Sequence, residues 1–493
     1  MNNNPYPSLY QVNTRVWLTE LSRLKGQTAT LDDIPDHELD RLSELGFSWL
    51  WFLSVWETGE TGKSISREYA SWRKDFEETL PDLKEEDIAG SGFAIKSYRV
   101  HPAIGGDEAL ARLRERMNRR GLKLMLDFVP NHMGPDHPWV DEHPEYFIAG
   151  TASDLKNYPQ NYMKVKPGSG NLIIAHGRDP YFDGWPDTIQ LDYSKPAAAK
   201  AMLNELIRIS GQCDGVRCDM AMLILPEVFE RTWGRKAKPF WPGAIKAIRD
   251  QNPGFCFMAE VYWEMEWVLQ QQGFDYTYDK KLYDRLDEGD AKGIREHFYA
   301  EPAYQDKLVR FLENHDESRA ATRFSHGKHE AAAVITYLSP GLRFFHQGQF
   351  EGKTKRISPH LVRGPLEDVD GKAKKFYNHL LGVLKMPLFR DGRWNLLEAV
   401  PAWDGNESWD SFLAFSWEGR DNERAIIAVN YSPNSGQCYI YLPFKDIERH
   451  QVQLTDLVGT EVYDRDGSDL LARGLYLDMP GWGYHVFTIK KTG

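Results

Sequence analysis

Apolar positions along the chain follow a repeated two-part pattern: helical spacing first, then a short, nearly unbroken apolar run. Over Asp36 to Leu45 the residues Leu39, Leu42 and Leu45 share one helical face, Gly46 stops the helix, and Phe47 to Leu53 forms the run. Asp107 is placed to cap a helix bearing Leu110, Leu113 and Met117, which ends at Gly121 before Leu122 to Leu126. Ser194 and Pro196 open another, with Leu203, Leu206 and Ile207 inward, ahead of Gly215 to Asp219. Pro242 to Asp250 precedes Phe255 to Met258, and Glu330 to Ser339 precedes Leu342 to Phe345. A helical period ended by glycine and followed by a strand apolar on both faces indicates βα units with a covered parallel sheet. Adding Tyr10 to Leu18, Phe274 to Tyr278 and Lys307 to Leu312 gives eight candidate strands between residues 10 and 346. That count and alternation predict an α/β chain built as a (β/α)8 TIM barrel rather than an open doubly wound sheet. No G-x-G-x-x-G follows the first strand, which speaks against a dinucleotide-binding sheet.

Two regions break the rhythm. The segment after the third strand, rich in Pro, Gly, Asp and Tyr, is too long for a bare connection and predicts an inserted subdomain at 133–190. Beyond residue 388 short alternating runs appear, among them Ala425 to Asn430, Cys438 to Leu442 and Tyr484 to Ile489. They predict a C-terminal antiparallel β-sandwich at 389–493, leaving 1–132 and 191–388 to the barrel.

Composition narrows the partners. Of 493 residues 41% are hydrophobic and 27% charged, enough apolar material for a large core. The net charge of −12 with no basic run excludes nucleic acid and anionic membrane surfaces as expected partners. No stretch reaches the ~18 apolar residues of a membrane span, and Met1 to Pro7 lacks the basic-then-apolar pattern of an export signal. Cys213, Cys218, Cys256 and Cys438 are too few and scattered for a disulfide framework and lack metal-site spacing. A cytoplasmic protein is expected, and nothing here sets its oligomeric state.

In such a barrel, chemistry collects where strands end. Strand three runs into Asp127-Phe128-Val129-Pro130-Asn131-His132 and strand four into Arg217-Cys218-Asp219. Strand five runs into Ala259-Glu260 and strand seven into Glu313-Asn314-His315-Asp316. Each residue alone has an ordinary structural use, as a turn, an ion pair or a bonded core histidine. Together they gather ionisable groups at one barrel mouth, a costly arrangement to keep without a function. With no phosphate loop and no cysteine nucleophile, paired carboxylates suggest glycoside hydrolysis, which needs one ionised carboxylate and one carboxylic acid of raised pKa. Asp219 beside Arg217 suits the first role, and Glu260 after an apolar run suits the second.

The segments DFVPNH (127–132), GVRCD (215–219), the strand ending in Glu260, and ENHD (313–316) occur in order on successive predicted strands. On these the chain resembles the α-amylase family, glycoside hydrolase family 13, over nearly its whole length. The resemblance implies Asp219 as nucleophile, Glu260 as general acid/base, and Asp316 as a third carboxylate that grips sugar hydroxyls. It implies that Arg217 orients the nucleophile and that His132 and His315 bond the sugar. Phe93 would stack beneath the sugar, and Asp127 would stand with this substrate-binding set as a partner near Arg217 and Asn131. The implied reaction is double displacement at an α-glucosidic bond with retention.

The sequence also departs from the family. Leu223 stands where many members carry Lys or His. Gly92 to Tyr98 lacks the two Asp of G-Y-D-x-x-D-Y, which speaks against a simple exo-acting glucosidase. Asn131 matches a position that often ligates calcium, but no other ligands can be located, so no cofactor is expected to be required and structural calcium stays open. Trp263, in the aromatic run after Glu260, is expected to stack against a sugar. Tyr181 to Trp185 and Gln190 to Asp192 are expected to wall the cleft.

The expected function is a retaining α-glycosidase acting on a small carbohydrate substrate, an oligosaccharide or short α-glucoside. The alternatives are a transglycosylase, phosphorylase or isomerase sharing the same intermediate, and, from another class, a non-catalytic sugar-binding or accessory protein. A metal-dependent hydrolase built on Asp127, His132 and His315 is disfavoured because the first strand carries no His-x-His pair.

Overall fold

The computed structural model describes residues 5–166, 170–324 and 327–492. Met1 to Asn4 lie outside this range, so the reading of the chain's first residues falls largely beyond it. Eight parallel strands close into a barrel: β1 (Ser8–Asn13), β2 (Trp49–Leu53), β3 (Lys123–Phe128), β4 (Gly215–Cys218), β5 (Cys256–Ala259), β6 (Tyr276–Tyr278), β7 (Leu308–Arg310) and β8 (Leu342–His346). Each strand pairs with its neighbours in chain order, and β8 closes on β1. All eight predicted strands are present. The first is shorter than expected, because Asn13 accepts a hydrogen bond from the Val16 N–H at 3.3 Å and caps a helix, Thr14–Lys25, across the rest of the predicted run.

The predicted helices form, with local corrections. Asp107 lies in the first turn of its helix (Gly106–Asn118) rather than at the cap, and its carboxylate accepts from the Val100 N–H at 2.8 Å. In the helix Pro196–Ser210 the fully inward residues are Met202, Leu206 and Ile209, with Leu203 and Ile207 half-buried.

Two excursions leave the barrel mouth. The predicted one, after β3, has a two-strand neck pairing His132–Met133 with Ile189–Gln190 and a hairpin of Tyr162–Val165 against Leu172–Ala175. The other, after β2, was not foreseen. It pairs Trp56–Thr58 with Ile95–Val100 and carries two helices, Glu60–Glu68 and Ala70–Thr79. Phe76 of the second helix and Leu80 just past its end, with Ile88, pack on Leu361 from the loop after β8 in a separate small apolar cluster.

The C-terminal region is a sandwich of a six-stranded antiparallel sheet on a three-stranded one. Alternation along Phe412–Glu418 explains its apolar run: Leu413, Phe415 and Trp417 join the barrel core, while Phe412 and Ala414 face the smaller sheet. The Trp417 indole N–H donates to the Leu338 carbonyl at 2.8 Å, and Tyr431 OH donates to the Leu286 carbonyl at 2.6 Å. All four cysteines are buried and unpaired. Among the described residues, no helix is long and apolar enough to cross a membrane.

Candidate active site

The barrel register fixes the site. Arg217 on β4 lies level with Asp127 on β3 and Met258 on β5. Side chains alternate along a strand, so Arg217 and Asp219 share the inner face while Cys218 faces out. The ladder runs one residue past the strands: Asp219 N–H donates to the Phe128 carbonyl at 2.9 Å and Glu260 N–H to the Cys218 carbonyl at 3.0 Å. Both carboxylates therefore stand at adjoining strand tips.

Arg217 is fully buried, with Trp51, Phe93 and Tyr278 rings centred 5.3, 5.2 and 5.9 Å from its guanidinium carbon. Its fork joins the two carboxylates: Nη1 is 2.6 Å from Asp219 Oδ1 and Nη2 is 2.7 Å from Glu260 Oε2. Asp127 lies beneath, with Oδ1 3.8 Å from Nη1 and its backbone carbonyl accepting from the Trp56 indole at 2.8 Å. Burial works against the Arg217 charge, but the surrounding groups, Glu260 foremost, outweigh it and hold the guanidinium protonated. Burial pushes Asp127 up to about 7 despite Arg217.

Glu260 accepts from the Met220 N–H at 2.8 Å and from Tyr262 OH at 2.9 Å. Met220 meets it through a left-handed backbone (φ 43°), a strained conformation for a residue with a side chain. Burial, together with the Asp219 and Asp316 charges, overrides Arg217 and pushes the Glu260 carboxyl up to about 8. Desolvation also raises Asp316, against the pull of Arg217 and Arg356.

Both histidines are neutral. Burial pushes His132 down to about 4 and His315 well below its usual value. Gln11 Nε2 donates to His315 Nδ1 at 2.9 Å, so Nε2 carries the proton and faces Asp316 Oδ2 at 3.1 Å. Phe93 lies nearly parallel to His315, with ring centres 5.4 Å apart.

Asp219, Glu260, Asp316, His132, His315 and Phe93 line one cavity of about 260 Å³. Arg217 and Asp127 do not line it. They sit behind its wall, because a strand position one step below the tip is covered by the residues at the tip. Trp263 is also outside, in an adjoining groove of about 490 Å³ that shares Met220 and Tyr262 with the cavity. Consecutive left-handed residues, Trp263 (φ 62°) and Glu264 (φ 61°), turn its ring away from Glu260 and against the edge of Tyr181, 4.9 Å between centres. Leu223 is buried in the core and lines neither space.

Of the expected outer wall, Trp185 lines the cavity and Phe182 the groove. Gln190, Leu191 and Asp192 do not, because they are buried at the neck of the excursion. Sequence reasoning counted Tyr262 only in the aromatic run expected to stack, whereas its hydroxyl bonds Glu260. It missed Trp72, Asp187 and His360, which lie on connections rather than at strand tips.

Asn131 offers a test of metal fit. Its side-chain oxygen, its own carbonyl and the Leu191 carbonyl converge, but on the Gln190 amide nitrogen, at 3.0, 2.9 and 3.0 Å. Here the Gln190 amide nitrogen sits among these oxygens, while its own Oε1 has no hydrogen-bond partner. Among the described residues, ligand-type atoms come close enough to share an ion at Asp456, Glu461 and His485 in the C-terminal sheet, and not at Asp127, His132 and His315. Asp456 is already taken by N–H groups of Val458, Val486 and His485.

A family model described as "Alpha amylase, catalytic domain" matches residues 26–437. The α-1,4-glucan:maltose-1-phosphate maltosyltransferase of Salinibacter ruber is 33% identical over 147 residues, 28% of this chain and 21% of that protein. The trehalose synthase/amylase of Mycolicibacterium smegmatis is 27% identical over 203 residues, 37% of this chain and 33% of that protein. The chain thus spans a third or less of these curated relatives' length. A maltogenic α-amylase structure from Thermotoga neapolitana superposes with a TM-score of 0.69 at 17% identity, covering 99% of both chains, which shows a shared fold.

Removing the Gln190 amide should leave the Asn131 side-chain oxygen and the Leu191 carbonyl at the neck short of a donor. Gln190→Ala is expected to cost about 1–3 kcal/mol, read as a lower midpoint in urea unfolding, and an unchanged midpoint would refute this role.

Proposed function

The chain belongs to the α-amylase family, and on that basis we propose that it is a retaining α-glycosidase acting on α-glucosidic bonds of a short oligosaccharide or small α-glucoside. One observation carries the reading: a single buried guanidinium joins Asp219 and Glu260 at 2.6 and 2.7 Å, on a cavity that Asp316 also lines.

Glu260, with its raised pKa, holds the proton that the leaving oxygen requires. Asp219, ion-paired with Arg217, attacks the anomeric carbon from the opposite face and forms the glycosyl-enzyme while the bond to the leaving oxygen breaks. Glu260, now ionised, removes a proton from an incoming water, which displaces Asp219 and restores the starting anomer. Asp316 and the neutral imidazoles of His132 and His315 hold sugar hydroxyls, and Phe93 presents a ring to the sugar face. Arg217 acts from behind by joining and placing the pair, with Asp127 beneath it.

Transfer to a second sugar is the alternative reading, favoured by the Trp263 groove beside the cavity. In that groove Lys280 pairs with Asp284 and Glu317 and Lys281 with Glu264, while Arg285 also lines it. Buried free thiols support a reducing, cytoplasmic setting, and the Gln190-filled oxygen set supports catalysis without bound calcium.

Asp219→Asn and Glu260→Gln should each lower kcat by about 10³-fold or more while leaving the melting temperature within a few degrees. A screen of α-linked disaccharides and maltooligosaccharides, with anomers followed by NMR and with sugar or phosphate added, reads stereochemistry and acceptor together. Inverted product or near-normal turnover in either variant would sink the mechanism. The basic limb of kcat/KM should reflect loss of the Glu260 proton. Because the fold raises this carboxyl, activity persists through neutral pH and falls as pH rises through about 8. A limb near pH 5 would contradict that assignment. Prolonged EDTA treatment should leave both kcat and the melting temperature unchanged, and restoration of a lost activity by added calcium would overturn the metal-free reading.

A further inference from the structure

A second pocket, of about 280 Å³, lies between the helix Thr14–Lys25 and the excursion after β2, and it shares no lining residue with the catalytic cavity. Arg15, in the first turn of that helix, lines it and is 8% exposed. Two of its five N–H groups are used: Nη1 donates to the Gly90 carbonyl at 2.7 Å and Nη2 to Thr58 Oγ1 at 3.3 Å. Both acceptors are neutral, and among the described residues no carboxylate lies within ion-pairing distance. Of the other buried arginines, Arg217, Arg310 and Arg319 pair with carboxylates, and Arg343 spends its fork on three carbonyls.

Burial lowers Arg15 to about 10, still well above neutrality, so its guanidinium stays charged. A buried charge without a counter-ion is costly to keep. The Arg217 Nε is wholly enclosed, whereas the unbonded Nε of Arg15 retains accessible surface, so its spare donors can be reached from the pocket.

The rest of the lining favours a negative ligand. Lys63 adds a second cation, and its acidic contact is Glu60 at 3.6 Å, whose side chain is 87% exposed. Glu60 is the one carboxylate of the lining. Asp136, at the start of helix Glu60–Glu68, is spent on the Thr61 N–H at 2.7 Å and does not line the pocket. His101 Nδ1 accepts from the Ala103 N–H at 3.1 Å, so the neutral ring carries its proton at Nε2. Thr58 accepts from Arg15 and keeps its own hydroxyl proton to donate. Leu18, Ala29, Ile104 and Val362 make much of the remaining lining apolar.

We propose that this pocket binds a phosphoryl group, free or as a small monoester. Arg15 and Lys63 meet its charge, and Thr58 and His101 donate to its oxygens. Two cations suit a dianion better than a single carboxylate, and a guanidinium fork matches phosphate oxygens. The site stands back to back with the catalytic cavity, because Gly90, held by Arg15, leads into Ser91 and Phe93, which line that cavity. No step of the cleavage passes through it, and the inference does not depend on the glycosidase reading.

The full chain is titrated calorimetrically, at constant ionic strength, with inorganic phosphate, glycerol 3-phosphate and acetate. Phosphate should bind with a dissociation constant of about 1 mM or lower, and acetate at least about ten-fold more weakly. Lys63→Ala and Arg15→Gln should each weaken phosphate about ten-fold or more, whereas Arg285→Ala, in the Trp263 groove, should leave it unchanged. Phosphate should also raise the melting temperature of the wild type and not that of Lys63→Ala. The Lys63 side chain is 30% exposed, so this variant keeps the test open should Arg15→Gln fold poorly. Tighter binding of the monoester would assign the apolar lining to its organic part, and equal affinity would assign the site to the free ion; either upholds the proposal. No phosphate binding to the wild type, acetate binding as tightly as phosphate, an unchanged affinity in Lys63→Ala or in folded Arg15→Gln, or a loss in Arg285→Ala would overturn it.

Discussion

The buried Arg217 guanidinium is the constraint around which the barrel mouth is organised. Asp219, Glu260 and Asp127 crowd a volume from which water is largely excluded, and without a cation among them their charges would repel and protonate. The aromatic faces of Trp51, Phe93 and Tyr278 complete its cage and keep it dry. The outcome is asymmetric, which is what acid and nucleophile chemistry needs. One carboxylate is bonded through a single strand-face contact, while the other is buried deeply enough to keep its proton near neutrality.

Much of this was legible in the chain. The eight strands showed themselves as short, mostly apolar runs, and the charged residues ending them stood out against that background. Arg217 and Asp219 could be placed together because their spacing of two puts them on one face. What sequence could not show was depth. Asp127 and Arg217 read like cavity residues, yet the strand tips cover them. Likewise, closeness to Glu260 along the chain favoured Trp263, whereas two left-handed residues swing that ring outward and leave Tyr262 at the acid. The first strand was overread because Asn13 ends it with a side-chain bond that no hydrophobic count registers.

The wall formed by Trp72, Asp187 and His360 was illegible for a different reason. Its members lie on three connections, separated by more than a hundred residues between the first two and again between the last two. Only the closed barrel brings those connections to one end of one cavity. The division is physical: strand tips supply chemistry in fixed register, and loops anchored on small apolar clusters shape what reaches it.

The inner strands of the six-stranded C-terminal sheet spend one face on the barrel and the other on its smaller companion, and only its far edge, Val462–Asp466, is open to water. Cutting the chain near residue 390 would strip a greasy flank of the barrel at the same time as it orphaned the sheet. Neither fragment would have a surface of its own, so the two regions are halves of one cooperative body rather than separable modules, and insertions or fusions are better tolerated at loop tips than at that seam.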